Sequence, residues 1–234
     1  MTTSLSCPIL VALGLLAAPI GVRAVGQRAI DTSFAAEFQV EKGELAASGR
    51  NAYFILEPGY QLVLEGGRER ITITVLDETK VVHGVETRVV EERETQAGRL
   101  AELTRNYFAI NKRTNDVFYF GEEVNMYSRG KVVAHGGSWL AGVNGARFGL
   151  LMPAKPMTGA KFYQESSPGV AMDRSEVVST SETVKTPAGE FVSCVKIRET
   201  TPLEPGTVVY KYYAPEIGLV QSDSLKLVKY GKAR

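Results

Sequence analysis

The stretch "ERITITVLDETKVVHGVETRVVEERETQAGRLAELTRNYFAIN" (residues 69–111) decides the fold. Its first part puts Ile71, Ile73 and Val75 on one side and Thr72 and Thr74 on the other. Alternation of β-branched residues with period two is the pattern of a half-buried strand. His83-Gly84 and Ala97-Gly98 then interrupt the pattern, and each is followed by a further strand-like run. A two-residue turn ending in Gly between two such runs predicts a hairpin. No helical segment separates the runs, so the chain is expected to meander.

The same grammar continues on both sides. "VFYFGEE", "VNMYS" and "KVVAH" follow, and "RSEVVSTSETVK", "FVSCVKIRET", "TVVYKYYA", "GLVQS" and "LKLVKY" end the chain. About ten to twelve strands are predicted, with turn signals spaced as in an all-β protein. "LEPG" occurs at residues 56–59 and again at 203–206. Pro fits the second position of a turn and Gly the third, and a strand follows each copy. The two halves do not align beyond those four residues, so no duplication is read. Long antiparallel hairpins with one apolar face must curl round a core. The expected fold is mainly β: an antiparallel, strongly curved meander forming a half-barrel or barrel, with little helix.

Lys plus Arg number 27 and Asp plus Glu 26, with 44% hydrophobic residues in 234. This near-neutral balance argues against nucleic acid as the main partner and against charge-driven membrane binding. The first residues differ from the rest. "CPILVALGLLAAPIGV" (residues 7–22) is apolar and uncharged, and Arg23 is the only charged side chain among the first 24. Such a run is short for a membrane span and fits the apolar part of a signal peptide, although "MTTSLS" before it carries no Lys or Arg. Residues 1–24 are read as a signal peptide cleaved after Ala24, with a site at Ala17-Ala18 as an alternative and an uncleaved anchor as another. The expected location is periplasmic or extracellular, with membrane contact only through that segment if it is retained. Cleavage would remove Cys7 and leave Cys194 alone, so no intramolecular disulfide is expected.

Residues 25–50 read as a lead-in and 51–234 as a single β domain. "DTSFAAEFQVEKGELAA" fits either a short helix capped by Asp31 or Ser33, with Phe34 and Phe38 one turn apart, or a loose tail. In "FVSCVKIRE", strict alternation puts Val192, Cys194, Lys196 and Arg198 on one face unless a bulge shifts the register. Cys194 has no nearby His in sequence and no catalytic or redox signature, so it is read as a structural cysteine.

"VKTPAGEFVSCVKIRETT" followed by "YKYYAPEIGLVQS" resembles a pattern in exported bacterial β-proteins of unknown function. There a turn P-A-G-x-F precedes a strand, and Y-Y-A-P-G-x-G-L-V closes the sheet. The likeness extends through "NAYFILEPGYQLVLEG", "DVFYFGEE", "GSWLAGVNGARFGLLMPAKP" and "KFYQESSPGVAMDR", over residues 51–220. The same pattern is similar to that of half-barrels that carry lipid or lipoprotein chains, a likeness at fold level only. Two departures stand out. Proteins of this pattern carry Gly where this chain has Glu216, and acids where it has Leu140 and Asn144. A carboxylate metal site at those two positions is therefore not expected here.

No recognised motif spells out a reaction. G-x-S-x-G and the glycine-rich nucleotide-binding patterns are missing. His83, at an expected hairpin tip, His135 and Cys194 lie far apart in sequence and do not form a zinc set, and no calcium loop is present. No cofactor or metal is predicted. Glu122, Glu123, Glu165 and Asp173 are the carboxylates that would serve a hydrolase, against the ordinary expectation that acids are solvated.

The most unusual stretch is "HGGSWLAGVNGARFGLLMPAKPMTGA" (residues 135–160), with six glycines and the only Trp. Irregular segments of that length tend to be lids or binding loops. Trp139, Phe148, Leu150 and Met152 are its candidate ligand-binding residues; the alternative is a plug that completes the core. The leading expectation is a non-catalytic, extracytoplasmic binding or carrier-like protein for a small or lipid-like ligand. A carboxylate hydrolase built on the Glu165 and Asp173 region, or an accessory envelope protein, are the alternatives. The sequence leaves the oligomeric state open.

Overall fold

The computed structural model describes residue 31 and residues 33–233. Residues 1–24, read above as a signal peptide, with Cys7 among them, and most of residues 25–32 lie outside them. Strand β1 (Leu45–Ala46) precedes the small hairpin of β2 (Gly49–Asn51) and β3 (Phe54–Leu56). A long meander follows: β4 (Tyr60–Gly66), β5 (Glu69–Val82), β6 (Val85–Gln96), β7 (Arg99–Asn111) and β8 (Val117–Ser128). Short strands come next: β9 (Lys131–Ala134), β10 (Trp139–Leu140), β11 (Arg147–Met152), β12 (Lys161–Tyr163) and β13 (Glu165–Ser166). A second meander ends the chain: β14 (Arg174–Thr186), β15 (Gly189–Thr200), β16 (Val208–Ala214), β17 (Gly218–Ser222) and β18 (Leu225–Lys232). Among the described residues the eighteen strands exceed the ten to twelve expected, because several have only two to four residues, too few to show a period.

The main sheet runs β12-β14-β15-β16-β17-β18-β4-β5-β6-β7-β8-β11-β13, and its pairings are antiparallel. It is nearly closed and barrel-shaped. The two ends of the path, β12 and β13, are separated in the chain by Gln164 alone. One strand pairs with β14 and the next with β11, so the chain itself spans the seam. Gly149 on β11 makes that approach workable. A Cβ there would lie 2.4 Å from the carbonyl oxygens of Tyr163 and Gln164.

The turns follow the sequence closely. His83-Gly84, Ala97-Gly98 and Arg129-Gly130 each have two positive φ values, 51° and 75–76°. These are the mirror-image turns whose twist matches the flanking strands. Both "LEPG" copies close as read, with Tyr60 N–H donating to Glu57 O at 3.0 Å and Thr207 N–H to Glu204 O at 3.2 Å.

The lead-in forms no helix among its described residues apart from one 3-10 turn at Lys42–Glu44. It runs as a strap. Ala35 N–H donates to Lys161 O at 3.0 Å and Tyr163 N–H to Ala35 O at 2.8 Å. Bonds to an open strand edge outcompete an isolated helix this short. The strap's rings pack on the barrel wall, Phe34 edge-on to Tyr163 and Phe38 edge-on to Phe118.

A bulge corrects the face assigned to Cys194. Val184 pairs with Phe191 while Glu182 pairs with Cys194, so β15 spends three residues where β14 spends two. Ser193 takes φ 55° at the bulge. Cys194 is turned into the core beside Val195, and both are fully buried.

Candidate functional site

The barrel interior has two halves. Leu62, Leu64, Ile71, Ile73 and Val75 point inward from β4 and β5 and make an apolar half, with the β2–β3 hairpin packed against it. A cavity of about 40 Å³ remains at its border with the rest of the interior, lined by Phe54, Ile73, Phe108 and Leu219 and by the polar Glu92 and Asn106. That is room for about one water molecule, not an acyl chain.

The other half is polar. Strict alternation on β6 carries Val90, Glu92 and Glu94 to one face, opposite Asn106, Thr104 and Glu102 of β7. Asn106 in turn faces Glu122 on β8. Across the barrel, Glu199 and Lys211 form a buried ion pair at 2.5 Å. Asp173 N–H donates to Glu165 Oε1 at 2.5 Å. Glu122 and Glu165 are almost fully buried, and Asp173 keeps part of its surface in solvent.

So many acids in a confined space cannot all ionise cheaply. Burial, followed by the nearby charge of Asp173, pushes both Glu122 and Glu165 well above the usual carboxylate range. Burial and then Glu199 raise Asp173 to about 7, with Lys211 and a hydrogen bond from Thr201 opposing. Burial raises Glu94 to about 9, helped by Glu92 and Glu102. At neutral pH Glu94 is therefore held as a neutral carboxyl, and Asp173 lies near its midpoint.

One edge of the polar half opens into a pocket. A bulge in β8 skips Phe120, because Phe108 pairs with Tyr119 while Tyr107 pairs with Gly121. Tyr119 and Glu122, three residues apart, therefore share a face. Tyr119 donates to Asn106 Oδ1 at 2.6 Å, and its hydroxyl also meets the Glu122 carboxyl. On the neighbouring strand β10, Trp139 sits directly opposite Glu122. Its indole packs edge-on against Tyr119, with ring centres 5.2 Å apart and planes at 90°. Trp139 and Glu122 line a pocket of about 270 Å³ together with Glu123, Ser138, Leu140, Val143, Asn144 and Val170; Lys80 beside Glu123 holds that carboxyl below the usual range, so the pocket carries a charge at its rim. Trp139 Nε1 and Glu122 Oε2 are both buried and have no hydrogen-bond partner among the described residues. A buried donor or acceptor left without a partner costs about 1–3 kcal/mol.

The four predicted site residues do not converge. Trp139 lines the pocket just described. Phe148 stacks on Phe120, with ring centres 4.7 Å apart, and borders a second pocket of about 400 Å³ beside Phe38, His83 and Arg147. Leu150 is half-buried opposite Phe118, and Met152 is fully buried in the core. The 26-residue segment is not the irregular loop expected, since it supplies β10 and β11 to the sheet. Among the candidate acids, Glu123 is exposed and paired with Lys80, whereas Glu122 and Glu165 are buried, against the expectation of solvated carboxylates. Glu94, Glu199 and Lys211 were not foreseen. A signal for Glu94 existed in the sequence, because Val90, Glu92 and Glu94 share the parity of one strand face.

Comparison with family models, with curated proteins and with solved structures gave no match to this chain.

Proposed function

We propose that the protein is a non-catalytic binding protein, working outside the cytoplasm, that holds a small amphipathic ligand in the Trp139 pocket. The observation that carries this reading is the pair of unsatisfied buried polar atoms, Trp139 Nε1 and Glu122 Oε2, on cross-strand neighbours lining one pocket. A buried polar atom without a partner calls for an explanation, and a bound molecule is one such explanation. Apolar walls with a few convergent polar groups are the usual make-up of a small-molecule site. Leu140 and Asn144, where proteins of the resembled pattern carry acids, both line this pocket. The apolar run at residues 7–22 supports export. The filled apolar half disfavours a ligand threaded through the barrel and moves the site to its edge.

The test follows the emission of Trp139, the chain's only indole, during titration with a panel of lipids, glycans and peptides. A saturable change for one class supports the reading. Calorimetry on Trp139→Phe, which keeps a ring and removes the N–H, should show that class binding about tenfold more weakly. No change with any class rejects the pocket as a site.

The nearby charge of Asp173, which adds to burial in raising Glu165, favours a second reading, a hydrolase working through these two acids. Paired carboxyl groups with raised pKa are what acid–base hydrolysis needs. Turnover of glycoside or ester substrates that disappears in Asp173→Asn would support it; turnover that survives would reject it.

A further inference from the structure

We propose that the pocket between the strap and the loop at residues 141–148 is a second binding site, for a carboxylate with an apolar body. Its volume of about 400 Å³ exceeds that of the Trp139 pocket and lies in the range usual for small-molecule sites. Three stretches far apart in sequence wall it: the strap, the tip of the β5–β6 hairpin at His83, and the loop leading into β11. Most of the wall is apolar. Phe38 and Phe148 both pack edge-on to Phe118, each with ring centres 6.0 Å from it, so aromatic rings back the pocket. Gly142 leaves no room for a Cβ against the His83 ring, and Gly145 has open space where a Cβ would lie.

The charge in this setting comes from Arg147. Its Nη1 donates to Glu37 Oε1 at 2.9 Å, and among the described residues its guanidinium has no other hydrogen-bond partner. A guanidinium carries five N–H donors in a fork that matches both oxygens of a carboxylate, so most of this fork is unused. Glu37 already stands where a ligand carboxylate would sit. The strap holds it there through the two bonds of Ala35 and the ring of Phe38. The Glu37 side chain is 83% exposed, and a pair so open to water contributes little. A free carboxylate can turn to meet the fork with both oxygens and lay its apolar body on Phe38 and Phe148, which Glu37 cannot do. An ammonium would meet Arg147 with like charge, and an alcohol brings one oxygen without charge. Lys42, donating to His83 O at the hairpin tip, adds a second cation near the pocket.

The test follows the backbone amides of Phe38, Gly145 and Phe148 in ¹H–¹⁵N spectra of the full chain. The probes are hexanoate and benzoate, against hexanol and hexylammonium. Both acids are expected to shift the three peaks together and saturably, and the two controls are not. Glu37→Gln removes the internal competitor and should tighten hexanoate about threefold, whereas Arg147→Gln should weaken it about tenfold. Both side chains are exposed, so the remaining cross-peaks of each variant should keep their positions. Hexanol or hexylammonium moving the peaks as strongly as hexanoate would overturn the carboxylate class. A hexanoate response that survives Arg147→Gln, weaker binding in Glu37→Gln, or peaks that neither acid moves would overturn the site.

Discussion

Glu216 shows how far a single residue can depart from its turn. It occupies φ 61°, a left-handed conformation that favours Gly. The turn nevertheless closes, with Glu216 N–H donating to Ala52 O at 2.6 Å. A side chain in this region costs about 1 kcal/mol relative to Gly. The exposed ion pair with Arg50, at 3.7 Å, returns little of it. Glu216→Gly should therefore stabilise the protein by about 1 kcal/mol, read as a higher urea midpoint with unchanged slope; a lower midpoint would mean that the Glu side chain does more than the backbone geometry indicates. Cys194 answers to burial instead. Its thiol is fully buried and pushed up to about 11, chiefly by desolvation. A thiol reagent at pH 8 should leave the Cys194 peptide unmodified in the folded chain and label it in denaturant, and Cys194→Ala should cost only about 1–2 kcal/mol. Rapid labelling of the folded chain would show the core to be open there.

At the scale of elements, the long hairpins were legible because each strand had twelve or more residues of usable period and a Gly-containing turn at its end. The bulge at Ser193 was not, since alternation alone cannot say where an extra residue is absorbed. The β8–β10 pairing was not legible either. Two residues carry no period, and the register that sets Trp139 against Glu122 comes from tertiary packing. The seam between β11 and the β12–β13 segment is the element contact that closes the barrel. Gly149→Ala would drive a methyl group against two backbone carbonyls that have no rotamer to escape with. A loss of about 3 kcal/mol is expected. Gly43→Ala, with nothing within 4 Å of the added carbon, is the control and should be close to neutral. Equal effects of the two substitutions would contradict this account of closure.

The whole molecule is a barrel with an apolar half and an acidic half, and the sequence disclosed the first more readily than the second. Apolar alternation announces a core, whereas acids on the same face look like surface until the sheet closes over them. The acidic half should dominate the response to pH. In the fold Asp173 ionises near 7 and Glu94 near 9, whereas in the unfolded chain both ionise at about 4. Between those values the folded chain keeps protons that the unfolded chain has lost, so stability falls as pH rises. Each group contributes at most about 1.4 kcal/mol per pH unit. Glu122 and Glu165 act in the same direction. Asp31, Glu44, Glu57 and Glu123 are shifted down by hydrogen bonds and by cationic neighbours, and what they contribute is lost only at the acid extreme, below pH of about 4. Urea midpoints should therefore be higher at pH 5 than at pH 8, and a flat or opposite profile would contradict the buried acidic half. The binding function proposed for this protein requires a ligand at the edge of this half, beside Trp139 and Glu122. Native mass spectrometry of the protein purified undenatured from its own host tests that most directly. A fraction carrying an adduct of constant mass is expected, released on collisional activation and missing from a Trp139→Phe, Glu122→Leu double variant that still folds. The bare chain mass alone, in parent and variant alike, would contradict it.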